Sequence, residues 1–264
     1  MPAASIIKIP VMVEVFRQMS QGTIGLNDLL HLQRGDRDNG WGDLAEARAG
    51  TPYSVSKLMW LMITESDNTA TNMLIRLVGR AHINTTMADM GLVSTQVADY
   101  IRSSGNIRAL RTSPLDMMRL LESIAREQVI DTWSSREMVN ILSGQHHNGL
   151  LPQPLPSGLQ IAHKTGTLSD TLNDVGIVYL DREPYVIAVM TTNLPSLNSG
   201  RRFIRSVSRL AYNALNRFAD WREGLTPASD IPVWQQGARV DAVNSVMPAP
   251  PAAPTAEPSL DWEK

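Results

Sequence analysis

The stretch that decides the fold is LQIAHKTGTLSDTLNDVGIVYLDREPYVIAVMTTNL, residues 159–194. It contains three runs rich in β-branched residues, at 159–168, 173–180 and 184–194, and turn-forming residues bound each run. Such runs predict β-strands, and the polar turn at 181–183 predicts that the last two form a hairpin.

Most of the chain before this stretch shows helical periodicity instead. Helices are predicted at 5–20, 25–33, 54–65, 68–79, 81–90, 114–127 and 134–143, and an amphipathic helix follows the strands at about 199–217. Polar loops are predicted at 35–50 and 93–113. Helices followed by a strand cluster and a closing helix favour an α+β fold over a doubly wound sheet.

The domain organisation expected from these patterns is one catalytic domain at 1–224. Its helical part covers about 5–145 and its sheet part about 158–220. From 225 to 264 the chain gains proline and loses periodicity, which indicates a flexible tail.

The composition excludes several classes of function. The 264 residues carry 24 Lys and Arg against 26 Asp and Glu, and this net charge of −2 gives no reason to expect a nucleic-acid partner. The absence of cysteine excludes disulfides, thiolate metal sites and a cysteine nucleophile. No apolar run approaches the roughly 20 residues that a membrane-spanning helix needs.

The first chemical motif is Ser5-Ile6-Ile7-Lys8, at the start of the first predicted helix. This spacing places the serine and the lysine one helical turn apart, on one face. A serine hydroxyl becomes a nucleophile when a base takes its proton, and a lysine is such a base when burial or another cation keeps its amine neutral. Alone the motif is weak evidence, because Ser-x-x-Lys occurs by chance in many proteins.

Two further motifs have both an ordinary and a chemical interpretation. The Ser-Asp-Asn sequence at 66–68 lies between two predicted helices, where these residue types commonly act as helix caps. The Lys-Thr-Gly-Thr sequence at 164–167 lies in the first predicted strand, where a lysine is ordinary at a sheet edge. The chemical interpretation is a cation and hydroxyls that bind a carboxylate, with a glycine that lets substrate lie against the backbone.

Together, and in this order, the motifs match the S-x-x-K, S-D-N and K-T-G set of penicillin-recognising serine enzymes. The chain resembles the class A β-lactamases from about Ala3 to about Trp221, with SDNTATNML, AHKTGT and NDVGIVYL as supporting segments. The resemblance implies a β-lactamase/transpeptidase-like fold, with a helical region and an antiparallel sheet. It also implies acyl transfer from a β-lactam or D-Ala-D-Ala-type peptide to serine and then to water, without a metal or organic cofactor.

The resemblance also implies a role for each matching residue. Ser5 would be the acylated nucleophile, Lys8 part of its proton network, and Ser66 the shuttle that protonates the leaving nitrogen. The substrate-binding residues would be Asn68, Asn106, Lys164, Thr165, Gly166 and Thr167. The backbone N–H groups of Ser5 and Thr167 would form the oxyanion hole.

The sequence departs from the family at the residue that activates the hydrolytic water. The family carries a glutamate there in an E-x-x-L-N pattern, and the alignment places Arg102 at the glutamate and Asn106 at the asparagine. Asp99 and Asp116 are the nearest carboxylates, and both have an ordinary interpretation as a turn residue or a helix cap. Slow deacylation is therefore expected.

A second departure concerns the front of the domain. The family places a helix and two strands before its nucleophile, whereas four residues precede Ser5 here. Without those strands the run at 184–194 would form an exposed sheet edge, so self-association, or docking of part of 225–247, is expected. No signal peptide is visible, but the resemblance implies a periplasmic or secreted protein.

Three functions remain open from the sequence. They are β-lactam hydrolysis, a peptidoglycan D,D-peptidase activity, and a non-catalytic sensor domain that is acylated and retains the drug. His146 and His147 are interpreted as part of a solvated loop, because neighbouring histidines seldom bind a metal without further spaced donors. Trp41 has an ordinary interpretation as an exposed or packed residue, and the resemblance also makes it a candidate to close over the substrate, as an aromatic residue does in the family.

Overall fold

A computed structural model describes residues 1–103, 109–180 and 183–222. Its α-helices are α1 (Lys8–Ser20), α2 (Val55–Thr64), α3 (Asn68–Val78), α4 (Arg80–Asp89), α5 (Pro114–Ala125), α6 (Thr132–Ser143) and α7 (Leu197–Arg222). Its strands are β1 (Leu29–His31), β2 (Pro52–Ser54), β3 (Gln96–Val97), β4 (Leu110–Arg111), β5 (Ile161–Thr167), β6 (Leu172–Val178) and β7 (Tyr185–Thr191). In the described part of the chain, no helix combines the length and the hydropathy that crossing a membrane requires.

The largest sheet is antiparallel, with the strand order β5-β6-β7. The central strand β6 is buried along its whole length, because α5 and α6 pack on one face of the sheet and α7 packs on the other. Within the described residues, the outer edge of β7 pairs with no further strand. The predicted α+β fold is confirmed.

Strand alternation divides the apolar side chains of β6 between two cores. Val175 and Ile177 join the large core formed with α1 to α6. Val178 joins a smaller core, in which Ile187 of β7 and Ile204 of α7 also lie. The same alternation sends Lys164 of β5, which pairs with Val175, toward the helical side of the sheet.

Local side-chain caps set the starts of several helices. Ser113 Oγ accepts from the backbone N–H of Asp116, and Pro114 follows at the first helical position of α5, where a missing N–H costs least. Asp67 caps α3 in the same way by accepting from the Ala70 N–H at 2.7 Å.

Two local predictions are wrong. The segment 25–33 is not a helix, since Leu29–His31 forms β1 and pairs with β2, and the loop at 93–113 contains β3 and β4. Ladders of two or three residues are too short to produce a periodicity signal. The predicted tail at 225–264 and two residues of the predicted turn at 181–183 lie outside the described residues.

Candidate active site

Ser5 lies in a 3₁₀ turn, Ala4–Ile7, that leads directly into α1. Ala4 has a left-handed φ of 48°, a conformation that is strained for a residue with a Cβ and persists only where the surroundings impose it. The side-chain amide of Asn173 donates to the carbonyls of Pro2 and Ala3, both at 3.1 Å. These contacts tie the turn that carries Ser5 to the central strand of the sheet.

Lys8 is completely buried one turn further along. Its Nζ contacts the Ser66 carbonyl oxygen at 2.5 Å, Ser66 Oγ at 3.1 Å and Asn68 Oδ1 at 2.9 Å. Burial, and then the positive charge of Lys164, hold the pKa of Lys8 well below its ordinary value, against the opposing effect of two nearby carboxylates. A neutral amine has a lone pair, so Lys8 can accept a proton from a serine hydroxyl.

Both interpretations of the Ser-Asp-Asn motif apply, because one of its residues is a helix cap and the other two contact Lys8. Asp67 is structural, because its two oxygens accept from the backbone N–H groups of Ala70 at 2.7 Å and Leu44 at 2.9 Å. Ser66 and Asn68 on either side of it contact Lys8. Ser66 has a φ of 57°, so a second non-glycine residue at this site is left-handed.

Asn68 is oriented by Asp38, which the sequence analysis did not single out. Asn68 Nδ2 donates to Asp38 Oδ1 at 2.8 Å, and this leaves the amide oxygen to face Lys8. Burial alone would raise the pKa of Asp38, but hydrogen bonds from Ser103, Asn68 and Gly40 outweigh it and lower that pKa. Asp38 lies in the polar, glycine-rich loop, where an aspartate is indistinguishable from a turn residue by sequence.

Lys164 is buried on β5, and its Nζ donates to the backbone carbonyl of Thr165 at 3.2 Å. Burial lowers the pKa of Lys164 to about 7, although the negative charge of Asp174 acts in the opposite direction. Around neutral pH this lysine therefore alternates between a cation and a neutral amine. Its charge is also one of the causes of the lowered pKa of Lys8.

Gly166 allows the strand and the nucleophile's turn to approach closely. A Cβ built at this position would lie 3.0 Å from the carbonyl oxygen of Ala3 and 3.1 Å from the backbone nitrogen of Ser5. The glycine therefore makes room for the protein's own backbone, whereas the sequence suggested room for substrate. On either side of it, Thr165 and Thr167 line the neighbouring cleft.

The three motifs open into one cleft of about 670 Å³. Its lining includes five of the predicted residues, which are Ser5, Ser66, Asn68, Thr165 and Thr167. Trp41 also lines it, with 56% of its surface exposed. The sequence analysis did not assign Ser103, Arg201 or Arg205, which line the same cleft. Arginines on an amphipathic helix give no signal beyond that of a solvated face.

The interpretation of His147 as part of a solvated loop is wrong. His147 is half-buried, lines the cleft, and meets the Trp41 ring edge-on with 5.6 Å between the ring centroids. Its neighbour His146 is exposed, and its Nδ1 lies 2.5 Å from a carboxylate oxygen of Glu65. Which of two adjacent histidines faces a cleft depends on loop conformation, which the sequence does not reveal.

Arg102 does not act as a free cation in the cleft. Its guanidinium donates to the backbone carbonyls of Arg37 at 3.0 Å and Gly35 at 2.7 Å, and it lies over the Tyr100 ring at 5.5 Å. Asn106, the remaining predicted substrate-binding residue, lies outside the described residues.

A buried lysine with a lowered pKa lies one helical turn from a serine at a helix start and contacts a second serine hydroxyl at 3.1 Å, an arrangement that suits acyl transfer to serine. The chain belongs to the beta-lactamase enzyme family, whose sequence profile matches residues 1–215. It is a serine hydrolase of the class A β-lactamase type, as the motifs predicted.

Individual relatives agree with this family. The chain is 32% identical to PBP-A, with 82% of each chain covered and a TM-score of 0.77. It is 30% identical to the β-lactamase of Sphaerobacter thermophilus DSM 20745, over 80% of this chain and 82% of that one, with a TM-score of 0.75. It is 26% identical to the extended-spectrum β-lactamase PER-1 of Pseudomonas aeruginosa, over 80% of this chain and 74% of the relative.

Proposed function

We propose that β-lactams acylate this chain at Ser5 and that the resulting ester is hydrolysed slowly. The proposal rests on the buried Lys8 amine, which contacts Ser66 Oγ at 3.1 Å and whose pKa is lowered by burial and by Lys164. A neutral amine in this place can take the proton of a serine hydroxyl without help from solvent.

In the proposed acylation, Lys8 accepts the proton of Ser5 as Oγ attacks the lactam carbonyl. Ser66 passes its proton to the lactam nitrogen as the C–N bond breaks, and Lys8 reprotonates Ser66. The network thereby returns to its starting charge, with the acyl group on Ser5. In this proposal, the backbone N–H groups of Ser5 and Thr167 donate hydrogen bonds to the oxyanion that forms on the carbonyl oxygen.

The carboxylate of the substrate is assigned to the cationic end of the cleft. Lys164 is buried on the same strand as Thr165 and Thr167, which line the cleft, and Arg201 and Arg205 line it as well. Cations and hydroxyls that converge in this way favour an anionic group. Penicillins and peptides that end in D-Ala-D-Ala both carry such a carboxylate.

Slow deacylation is proposed because the sequence alignment places Arg102 at the position of the family's activating glutamate. A guanidinium stays protonated at every accessible pH, so it cannot take a proton from water. Its donors are also engaged by the carbonyls of Arg37 and Gly35. Loss of general-base catalysis typically slows a step by roughly 10²–10⁴-fold.

A D,D-peptidase activity is the second candidate. The similarity to PBP-A favours it, and a leucine-to-glutamate variant of PBP-A, to which this chain is also 32% identical, was solved as an acyl-enzyme with penicillin G. A peptidase would form the same Ser5 ester from a peptide and release D-alanine.

The deciding experiment is intact-mass analysis after exposure to penicillin G, followed by peptide mapping. We expect one adduct, on Ser5, and a stoichiometric burst with nitrocefin before slow turnover. An adduct on any other serine would contradict the assignment. Release of D-alanine from a peptide faster than nitrocefin turnover would favour the peptidase, and an adduct without any turnover would favour the sensor domain.

We also propose a periplasmic or secreted location, on the strength of the family resemblance, and self-association through the outer edge of β7. Within the described residues, the outer edge of this strand pairs with no further strand. An exposed strand edge presents unpaired backbone groups that another strand can bind. Sedimentation analysis should find a dimer with slow amide exchange along β7, whereas a monomer with rapid exchange there would contradict this.

A further inference from the structure

The direction of the Asn68 side-chain amide decides which of its atoms faces Lys8. Asp38 is buried, and its lowered pKa keeps it an ionised carboxylate, which can only accept hydrogen bonds. The atom of Asn68 that lies 2.8 Å from Asp38 Oδ1 is therefore the amide nitrogen, and the amide oxygen lies 2.9 Å from Nζ of Lys8. If the amide were reversed, two oxygen atoms would meet at Asp38 without a hydrogen between them.

Three oxygen atoms surround Nζ of Lys8, and one of them carries a hydrogen. The Ser66 carbonyl oxygen at 2.5 Å and Asn68 Oδ1 at 2.9 Å can only accept, whereas Ser66 Oγ at 3.1 Å belongs to a hydroxyl. A neutral amine has two N–H donors and one lone pair. Because the two acceptors take both donors, the lone pair is left for a serine hydroxyl.

A reversed Asn68 amide would change this pairing. Its nitrogen would then face Nζ and donate to the lone pair, which the amine needs in order to accept a proton from serine. The carboxylate of Asp38 opposes the reversed orientation, because two buried oxygen atoms that face each other lose a hydrogen bond and repel each other. The availability of the base therefore depends on the direction of this amide.

The loop that carries Asp38 is anchored, so its carboxylate keeps its place. Asp38 Oδ2 accepts from the backbone N–H of Ser103 at 2.6 Å, and Oδ1 accepts from the Ser103 hydroxyl at 2.5 Å and from the Gly40 N–H at 3.0 Å. Further along the loop, the carbonyl of Trp41 accepts from the backbone N–H of Asn68 at 2.9 Å. The loop thus binds both the backbone and the side chain of Asn68.

Asp38 also acts on Lys8 through its charge. Burial, and then the charge of Lys164 on β5, lower the pKa of Lys8, whereas the carboxylates of Asp67 and Asp38 raise it. Loss of the Asp38 charge should therefore lower the pKa of Lys8 further. A loosened site that admits water would have the opposite effect, because burial is the largest cause of the lowered pKa.

We propose that Asp38 is a positioning residue for acylation, which fixes the Asn68 amide so that the lone pair of Lys8 stays available to a serine hydroxyl. This inference rests on the proposed function, in which Lys8 is the base. It gives the polar, glycine-rich loop a role in the reaction, through one carboxylate that acts on the base by way of Asn68.

The test compares acylation of Asp38→Asn with that of the wild-type chain. An asparagine at this position can donate or accept, so both orientations of the Asn68 amide become possible, and the maximal acylation rate constant should fall roughly tenfold. The acidic limb of the pH profile, where Lys8 gains its proton, should move to lower pH. Stopped-flow measurement of the nitrocefin burst across this limb gives both values, and Lys164 is the same in both chains.

Asp36→Asn is the matched control. It also removes a buried aspartate from this region of the chain, but that carboxylate pairs with Arg76 at 2.9 Å and not with Asn68. Once circular dichroism shows that it is folded, it should keep the wild-type maximum and acidic limb. In Asn68→Ala, the further change Asp38→Asn should not lower the maximum again, because Asp38 acts through the amide that is already absent.

A wild-type maximum in Asp38→Asn would overturn the inference. A fall without movement of the acidic limb to lower pH would overturn it as well, because a merely loosened site gives that result. If Asp38→Asn does not fold, NMR of the wild-type chain with isotope-labelled asparagine decides. The side-chain amide signal of Asn68, assigned by its loss in Asn68→Ala, should exchange slowly with water, and rapid exchange would contradict the inference. Failure of the wild-type chain to form any adduct on Ser5 would overturn the proposed function instead.

Discussion

The two halves of the proposed reaction depend on differently built parts of the molecule. The acylating part consists of buried groups, with Lys8 in contact with Ser66 and Asn68 at distances of 2.5–3.1 Å. In the part aligned with the deacylating loop, the Arg102 guanidinium contacts the carbonyls of Arg37 and Gly35 instead. The pKa of the acylating base, Lys8, depends on the groups that surround it. The base for deacylation in the family is a single side chain on a loop, so it can be replaced without changing the surroundings of Lys8.

The largest effect is expected from the acylating part itself. Ser5→Ala should abolish the β-lactam adduct, and Lys8→Ala should slow its formation by roughly 10²–10⁴-fold, because no other neutral amine contacts Ser66 within the described residues. Stopped-flow measurement of the nitrocefin burst, with circular dichroism to verify folding, checks both. The exposed Ser206→Ala should acylate normally, and a burst of wild-type rate in Lys8→Ala would assign the base elsewhere.

Deacylation should become faster when a carboxylate is introduced at position 102. Arg102→Glu should accelerate loss of the acyl group by roughly 10²-fold and leave the burst rate unchanged, because a carboxylate can take the proton that a guanidinium cannot. Arg102→Gln is the matched control, since it also removes the contacts with Arg37 and Gly35 but adds no base. Equal rates in the two variants would show that charge removal, and not a base, is responsible.

A smaller effect is expected where β5 meets the nucleophile's turn. Gly166→Ala places a Cβ 3.0 Å from the Ala3 carbonyl oxygen, so the turn must move by a few tenths of an ångström. Small displacements of reacting groups are costly, and we expect roughly tenfold slower acylation with little change in deacylation. Gly35→Ala is the control, because no atom lies within 4 Å of the Cβ it adds. Unchanged acylation in Gly166→Ala would show that the turn tolerates the shift.

The parts of the molecule that the sequence predicted are those fixed by local spacing. One helical turn separates Ser5 from Lys8, and the alternating pattern of β5 places Lys164 and its neighbours on the strand that lines the cleft. The parts that it did not predict depend on tertiary placement. Asp38 acquires its role only because its loop folds against Asn68, and His147 lines the cleft only because Asp174 and His163 anchor its loop.

The smallest effect is a pH dependence that compares the two buried lysines. Lys164, with a pKa of about 7, is a cation below this value and neutral above it. The pKa of Lys8 is lowered well below the ordinary lysine value, and Lys8 acts as a base only when its amine is unprotonated. The second-order rate constant of acylation reports groups of the free enzyme, and titration of Lys8 affects a β-lactam and its methyl ester alike. The rate constant for the carboxylate-bearing β-lactam, relative to that for its methyl ester, should therefore fall severalfold as pH rises from about 6 to 9. The loss stays partial because Arg201 and Arg205 line the same cleft and keep their charge.

The control for this prediction changes the substrate instead of the protein. The methyl ester of the same β-lactam has no carboxylate for Lys164 to bind, so its acylation rate should not fall over this pH range. A parallel fall for the acid and the ester would mean that titration of Lys164 acts through Lys8 and not through the substrate carboxylate. In that case the charge of Lys164 would belong to the proton network of the acylating part, because its removal would change the base strength of Lys8.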